Sequence, residues 1–124
     1  MVILGIDFGL KHIGLALATG PLAEPLANLK TAPKVYEEIR QICHTQGIEK
    51  IVVGLSEGKM AQKTHQFAQQ LEQVVKIPIV FQDETLTTEQ VTRKLIEGGS
   101  GRDKRKRPKH AYAATLILQE FIDG

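Results

Sequence analysis

Two apolar runs of strand length open the chain, residues 2 to 7 and 12 to 18, and only Phe8-Gly9-Leu10-Lys11 separates them. So tight a connection makes the pair an antiparallel hairpin. Whatever follows must join a sheet that already has an antiparallel edge.

The remainder alternates between strand and helix signals. A weaker third strand is expected over residues 22 to 30. Beyond Pro33, Val35, Ile39, Ile42 and Cys43 recur at helical spacing, and Gly47 is placed to end that helix. The continuous apolar run over 51 to 55 suits a central strand covered on both faces. Residues 60 to 75 predict a second helix with Ala61, Thr64, Ala68, Leu71 and Val75 on one side, and 77 to 81 predict a strand whose early Pro78 suits an edge or first-residue position. Thr87-Thr88-Glu89-Gln90 has the form of a capping box with Thr87 as N-cap, starting a helix that runs through Val91 and Leu95 to Gly98. Pro108, a favoured first helical residue, opens the last helix, whose inner face would carry His110, Ala114, Ile117 and Phe121. The order β-β-β-α-β-α-β-α-α predicts an α/β fold with a mixed five-stranded sheet and helices on both faces.

A chain of 124 residues that is 42% hydrophobic can bury one real core, so a single domain over 1–124 is expected. Its apolar runs are too short to span a bilayer and it opens with no signal-type segment, which points to the cytoplasm. The single Cys43 cannot form an internal disulfide, and its spacing places it on the apolar side of a helix as a core thiol rather than a nucleophile.

The net charge of +2 hides an asymmetry. The segment from 102 to 109 holds Arg102, Lys104, Arg105, Lys106, Arg107 and Lys109 against Asp103, a net +5, which leaves −3 for everything else. Gly98-Gly99-Ser100-Gly101 precedes it, so the cations sit beyond a glycine hinge. Most short basic clusters are merely solvated. A whole positive excess gathered in one such loop points instead to phosphate backbones, where counterion release gives affinity without a fixed shape.

Asp7 closes the apolar strand Val2-Ile3-Leu4-Gly5-Ile6. An unpaired carboxylate among aliphatic side chains costs several kcal/mol, so such a residue is given a cation, a metal or hydrogen bonds. An Asx-turn at the strand end is the alternative.

The stretch from Gly5 to Ala16, the strand Val52-Val53-Gly54-Leu55, the motif Asp83-Glu84-Thr85-Leu86-Thr87-Thr88 and the ending from Ala113 to Gln119 together resemble the YqgF family, nearly end to end. That resemblance implies a ribonuclease-H-like fold and a nuclease. It implies trimming of the 5′ end of the 16S ribosomal RNA precursor or, by likeness to RuvC, resolution of four-way DNA junctions.

In nucleases of that fold a few carboxylates hold two divalent ions, Mg2+ or Mn2+, for an in-line phosphoryl displacement. Asp7 matches the first-strand ligand and Glu84 the second acid, with Asp83 either a further ligand or a brace for the turn. Were their strands two places apart, the axes would lie about 10 Å from one another and Glu84 would have to reach inward. The other view of Glu84 is a surface residue favoured by a helix N-terminus. Lys11 and His12, in the tight turn beside Asp7, and Thr87 and Thr88, whose N–H groups open a helix, are candidate contacts to substrate phosphates, together with the basic segment.

Three positions depart from the family pattern. Thr85 replaces an arginine, Ser56 a proline, and His110 the aspartate of the last helix. An imidazole at 110 suits manganese better than magnesium, whereas a histidine satisfied by one hydrogen bond in the core needs no metal. An actin-like phosphate loop also begins with strand, Asp and glycine turn, but needs a second domain that this chain has no room for. A nucleic-acid-binding module whose site has lost its metals is the stronger rival. Junction cutting calls for a two-fold homodimer, and end trimming is open to a monomer.

Overall fold

The computed structural model describes residues 1–83 and 109–124. Five strands form one sheet in the order β3-β2-β1-β4-β5: β1 (Ile3–Phe8), β2 (His12–Ala18), β3 (Ala23–Lys30), β4 (Lys50–Leu55) and β5 (Ile79–Asp83). The opening pair is the expected antiparallel hairpin, with Ile3 opposite Ala18 and Phe8 opposite Ile13. β3 adds antiparallel to β2, while β4 and β5 run parallel to β1, so the sheet is mixed. Pro25 is tolerated in β3 because that strand is an edge.

Three helices are described: α1 (Val35–Gln46), α2 (Gly58–Val75) and α3 (Lys109–Asp123). α1 ends at Gly47, whose φ of 66° is the left-handed conformation glycine adopts without steric cost. Two expectations shift. α2 begins at Gly58 rather than residue 60, and it buries Thr64, Phe67, Ala68 and Leu71, while Ala61 and Val75 are only half-buried. β5 begins at Ile79 rather than residue 77. Pro78 has no N–H for the ladder, and its carbonyl instead accepts a bond from the Ile51 N–H at 2.9 Å just ahead of the paired residues. At its other end, pairing with β4 carries the strand to Asp83. The expected helix from Thr87 to Gly98 and the start of the last helix at Pro108 lie outside the described residues.

Strand alternation sorts side chains onto two faces. Leu4, Ile6, Ile13, Leu15, Ile51 and Val53 pack against Val35, Ile39 and Cys43 of α1 and Phe67 and Leu71 of α2. On the other face Ala16, Ala18 and Val52 meet Ala114, Ile117 and Leu118 of α3. The buried side of α3 is broader than the stripe read from spacing, since Ala111, Ala113 and Leu118 are also buried and Phe121 is only half-buried.

Candidate active site

Gly5 fixes how closely α3 approaches. A Cβ added there would lie 2.8 Å from the Leu118 Cβ and 3.0 Å from the Ala114 carbonyl oxygen, so only hydrogen leaves room for the helix. At the amino end of β1, Gln119 accepts from the Ala23 N–H at 2.8 Å and donates to the Pro21 carbonyl at 2.9 Å. Lys50, the partner of Ile3, places its Nζ 5.6 Å from the centre of the Phe121 ring. With residues 119 and 121 at the amino end and Ala114 over Gly5, α3 runs antiparallel to β1. Its first turn, which contains His110, lies at the carboxyl end of β1.

That end carries Asp7, which is 7% exposed. Asp7 shares the α3 face with Ile3 and Gly5, as alternation along β1 requires. It pairs with Gly14 of β2, and Gly14 in turn with Asn28 of β3. In β4 the residue after Val53, the partner of Ile6, is Gly54, which is level with Gln82 of β5. One row across this face therefore reads Asn28, Gly14, Asp7, Gly54, Gln82. Neither neighbouring strand sets a side chain beside the carboxylate.

β5 lies two places from β1, as the separation weighed for Glu84 requires. Val80 packs on the α3 side and Ile79 on the other, so alternation gives Asp83 to the α2 face, opposite Asp7. The structure thus does not bring Asp83 to Asp7. Glu84, Thr87, Thr88 and the basic residues Arg102, Lys104, Arg105, Lys106 and Arg107 lie outside the described residues. Lys109 and His110 are in the first turn of α3. Among the described residues no three His, Cys, Asp or Glu side chains are grouped so as to hold a metal ion.

The turn from Gly9 to His12 projects from the same end, with Leu10, Lys11 and His12 exposed. Thr31 holds it: its Oγ1 donates to the Gly9 carbonyl at 2.8 Å and its N–H to the Lys11 carbonyl at 2.9 Å. Cys43 belongs to α1 and is buried on the other face of the sheet. Burial pushes its thiol up to about 11, as befits a core residue rather than a nucleophile.

Sequence reasoning singled out Asp7 and the first turn of the last helix, which the fold sets at one end of β1, and gave no role to Gly5, Gly14, Gly54 or Thr31. Single glycines in strands signal close backbone approach, and three of them stand in the motifs quoted above. Thr31 had no local signal, because its role depends on β3 reaching the hairpin turn.

Comparison with known proteins agrees with this fold. The RuvX family, described as Holliday junction resolvase, matches residues 1–124. A relative from Caldanaerobacter subterraneus subsp. tengcongensis is 38% identical over 135 residues, covering 100% of this chain and 97% of its own. One from Protochlamydia amoebophila is 40% identical over 139 residues, covering 98% and 93%. Both carry the name "Putative pre-16S rRNA nuclease". Among solved structures, Thermus thermophilus RuvC in complex with a Holliday junction substrate aligns with a TM-score of 0.59 at 19% identity, over 94% of this chain and 91% of that one. The fowlpox virus Holliday junction resolvase aligns at 0.63 and 11% identity, over 99% of both chains. These likenesses give the fold, the α/β architecture of RuvC-type resolvases, and the full-length sequence matches establish that the chain belongs to the RuvX family.

Proposed function

We propose that this protein is a metal-dependent nuclease that trims the 5′ end of the 16S ribosomal RNA precursor in the cytoplasm. The observation that carries the reading is the buried Asp7, set in a row with glycine on both neighbouring strands and beneath the first turn of α3. A carboxylate so placed has a rigid backbone, and the strand positions level with it on either side are glycine, which leaves the sheet surface there to backbone alone. The names of the relatives supply the substrate.

Asp7 and Glu84 are hard oxygen donors, which fits Mg2+ or Mn2+, and His110 is the third candidate ligand. Bound divalent ions would supply activation of water and charge stabilisation at the leaving oxygen. The chain's own residues do the rest. Asp7 fixes the centre of the site. Lys11, His12, Lys109 and the basic segment from 102 to 107 bind substrate phosphates, with Thr87 and Thr88 as further contacts. Asp83, on the opposite face, braces the strand end. Resolution of four-way junctions is the second reading, favoured by the description of the family.

The test sets a small-subunit ribosomal RNA precursor fragment beside a four-way junction, each under magnesium and under manganese. Cleavage of the RNA, lost to background in Asp7→Asn with folding and nucleic-acid affinity retained, is the expected result. Cleavage of the junction alone, by a two-fold dimer, would shift the reading to the resolvase. Binding of both with no cleavage of either would leave a nucleic-acid-binding module. Replacing Lys104, Arg105, Lys106 and Arg107 with serine should weaken binding to all nucleic acids alike. Each lost phosphate contact should flatten the salt dependence by about 0.7 to 0.9 in log–log slope.

A further inference from the structure

The hairpin turn beside the site has a feature that phosphate binding does not use. Leu10 is 57% exposed, at the tip of a turn whose other residues are Gly9, Lys11 and His12. A lone exposed leucine is ordinary on a protein surface. This one stands three residues from Asp7, at most about 11 Å along the chain, on a turn bonded to Thr31 at both ends. The backbone is therefore pre-organised, and fixing it ahead of binding lowers the entropy lost when substrate arrives.

Resting on the nuclease reading above, we infer that the Gly9–His12 turn is a nucleotide-holding element, in which Leu10 packs against one unpaired nucleotide next to the cut phosphate. Lys11 and His12 take the flanking phosphates, and Thr31 is the positioning residue. The chemistry is complementary: bases and sugars in a stacked duplex offer little apolar surface, whereas an unpaired nucleotide exposes a face that an aliphatic side chain can cover. Thr31 acts at a distance from the nucleotide. Its hydroxyl sets the Gly9 carbonyl and so the direction in which Leu10 points.

The experiment is fluorescence anisotropy of the full chain, with calcium in place of a cleavage-supporting ion. The probes are two labelled RNA hairpins, one blunt and one with a 5′ overhang. Leu10→Ser should weaken binding to the overhang hairpin about fivefold, the loss of one partly buried apolar side chain, and leave the blunt hairpin unchanged. Leu10→Phe should restore or tighten overhang binding. Thr31→Val should reproduce the selective loss, and Thr31→Ser, which keeps the hydroxyl, should restore it. An equal loss on both hairpins, or none on either, would overturn the inference. Because binding is read without cleavage, a native protein that never cuts but shows this selectivity refutes the nuclease reading alone. One that cuts normally while Leu10→Ser binds both probes like the native chain refutes this inference alone.

Discussion

The two faces of the sheet differ in what fills them. Toward α1 and α2 the strands present Leu4, Ile6, Ile13, Leu15, Ile51 and Val53, met by a helix layer in which Phe67 stacks on Phe8 with ring centres 4.7 Å apart. Toward α3 the same strands present Gly5, Ala16, Ala18 and Val52. The large face holds the fold together by buried volume. The small face lets one helix lie against the backbone, and because α3 runs antiparallel to β1, its height at Gly5 sets the position of its first turn relative to Asp7. Stability is concentrated on one side and site geometry on the other.

A pair of neighbouring substitutions tests that division. Ile6→Ala opens a cavity in the large face and should cost about 2–5 kcal/mol, while the protein that remains folded cuts at the native rate. Gly5→Ala should cost less, about 1–3 kcal/mol, because a Cβ at 2.8 Å from Leu118 forces α3 outward rather than emptying a core. It should nonetheless cut much more slowly. Urea unfolding and single-turnover cleavage, at a temperature where both variants are folded, measure the two effects. If Gly5→Ala lost only stability, α3 would be packing and nothing more.

His110 sharpens the comparison at the other end of the same helix. With the first turn of α3 at the carboxyl end of β1, a histidine ligand there should make the native protein prefer manganese, whose borderline character accepts nitrogen. His110→Asp should raise magnesium-supported cleavage by adding a hard oxygen and a compensating charge, and His110→Ala should weaken metal binding. Identical metal preference and rate in all three would place His110 in the core, outside the chemistry.

The hairpin, the mixed five-stranded sheet and the helices on both of its faces were legible in the sequence, because each follows from local periodicity and the length of the connections. The ends of α2 and β5 were displaced by two residues. In β5, Pro78 only delays the ladder, and the strand gains its length from pairing with β4, which no local pattern records. Asp7 was legible as a charge in the wrong company. The glycine row around it was not, since Gly14 and Gly54 acquire meaning only when the register sets them on either side of the carboxylate. Thr31 was invisible for the same reason: 22 residues separate it from the Gly9 carbonyl it holds.

The smallest expected effect concerns Cys43, a buried thiol on the large face. Burial raises the Cys43 thiol from 9.0 to about 11, so the native state favours the protonated form. That preference contributes in full below about pH 9 and fades as pH rises toward 11, where the native thiol ionises as well. Stability should therefore decline across this interval. Tyr36 is also pushed up by burial and acts in the same direction, so the quantity to measure is the difference between the native protein and Cys43→Ala in urea unfolding at a series of pH values. The native chain should lose more of its stability than the variant does. Near pH 8 the thiol should also react slowly with a disulfide reagent until the protein unfolds, since a buried, protonated sulfur is both shielded and weakly nucleophilic. Rapid labelling of folded protein would mean that the large face opens readily at α1, and the division between a rigid, inert side and a site-forming side would no longer hold.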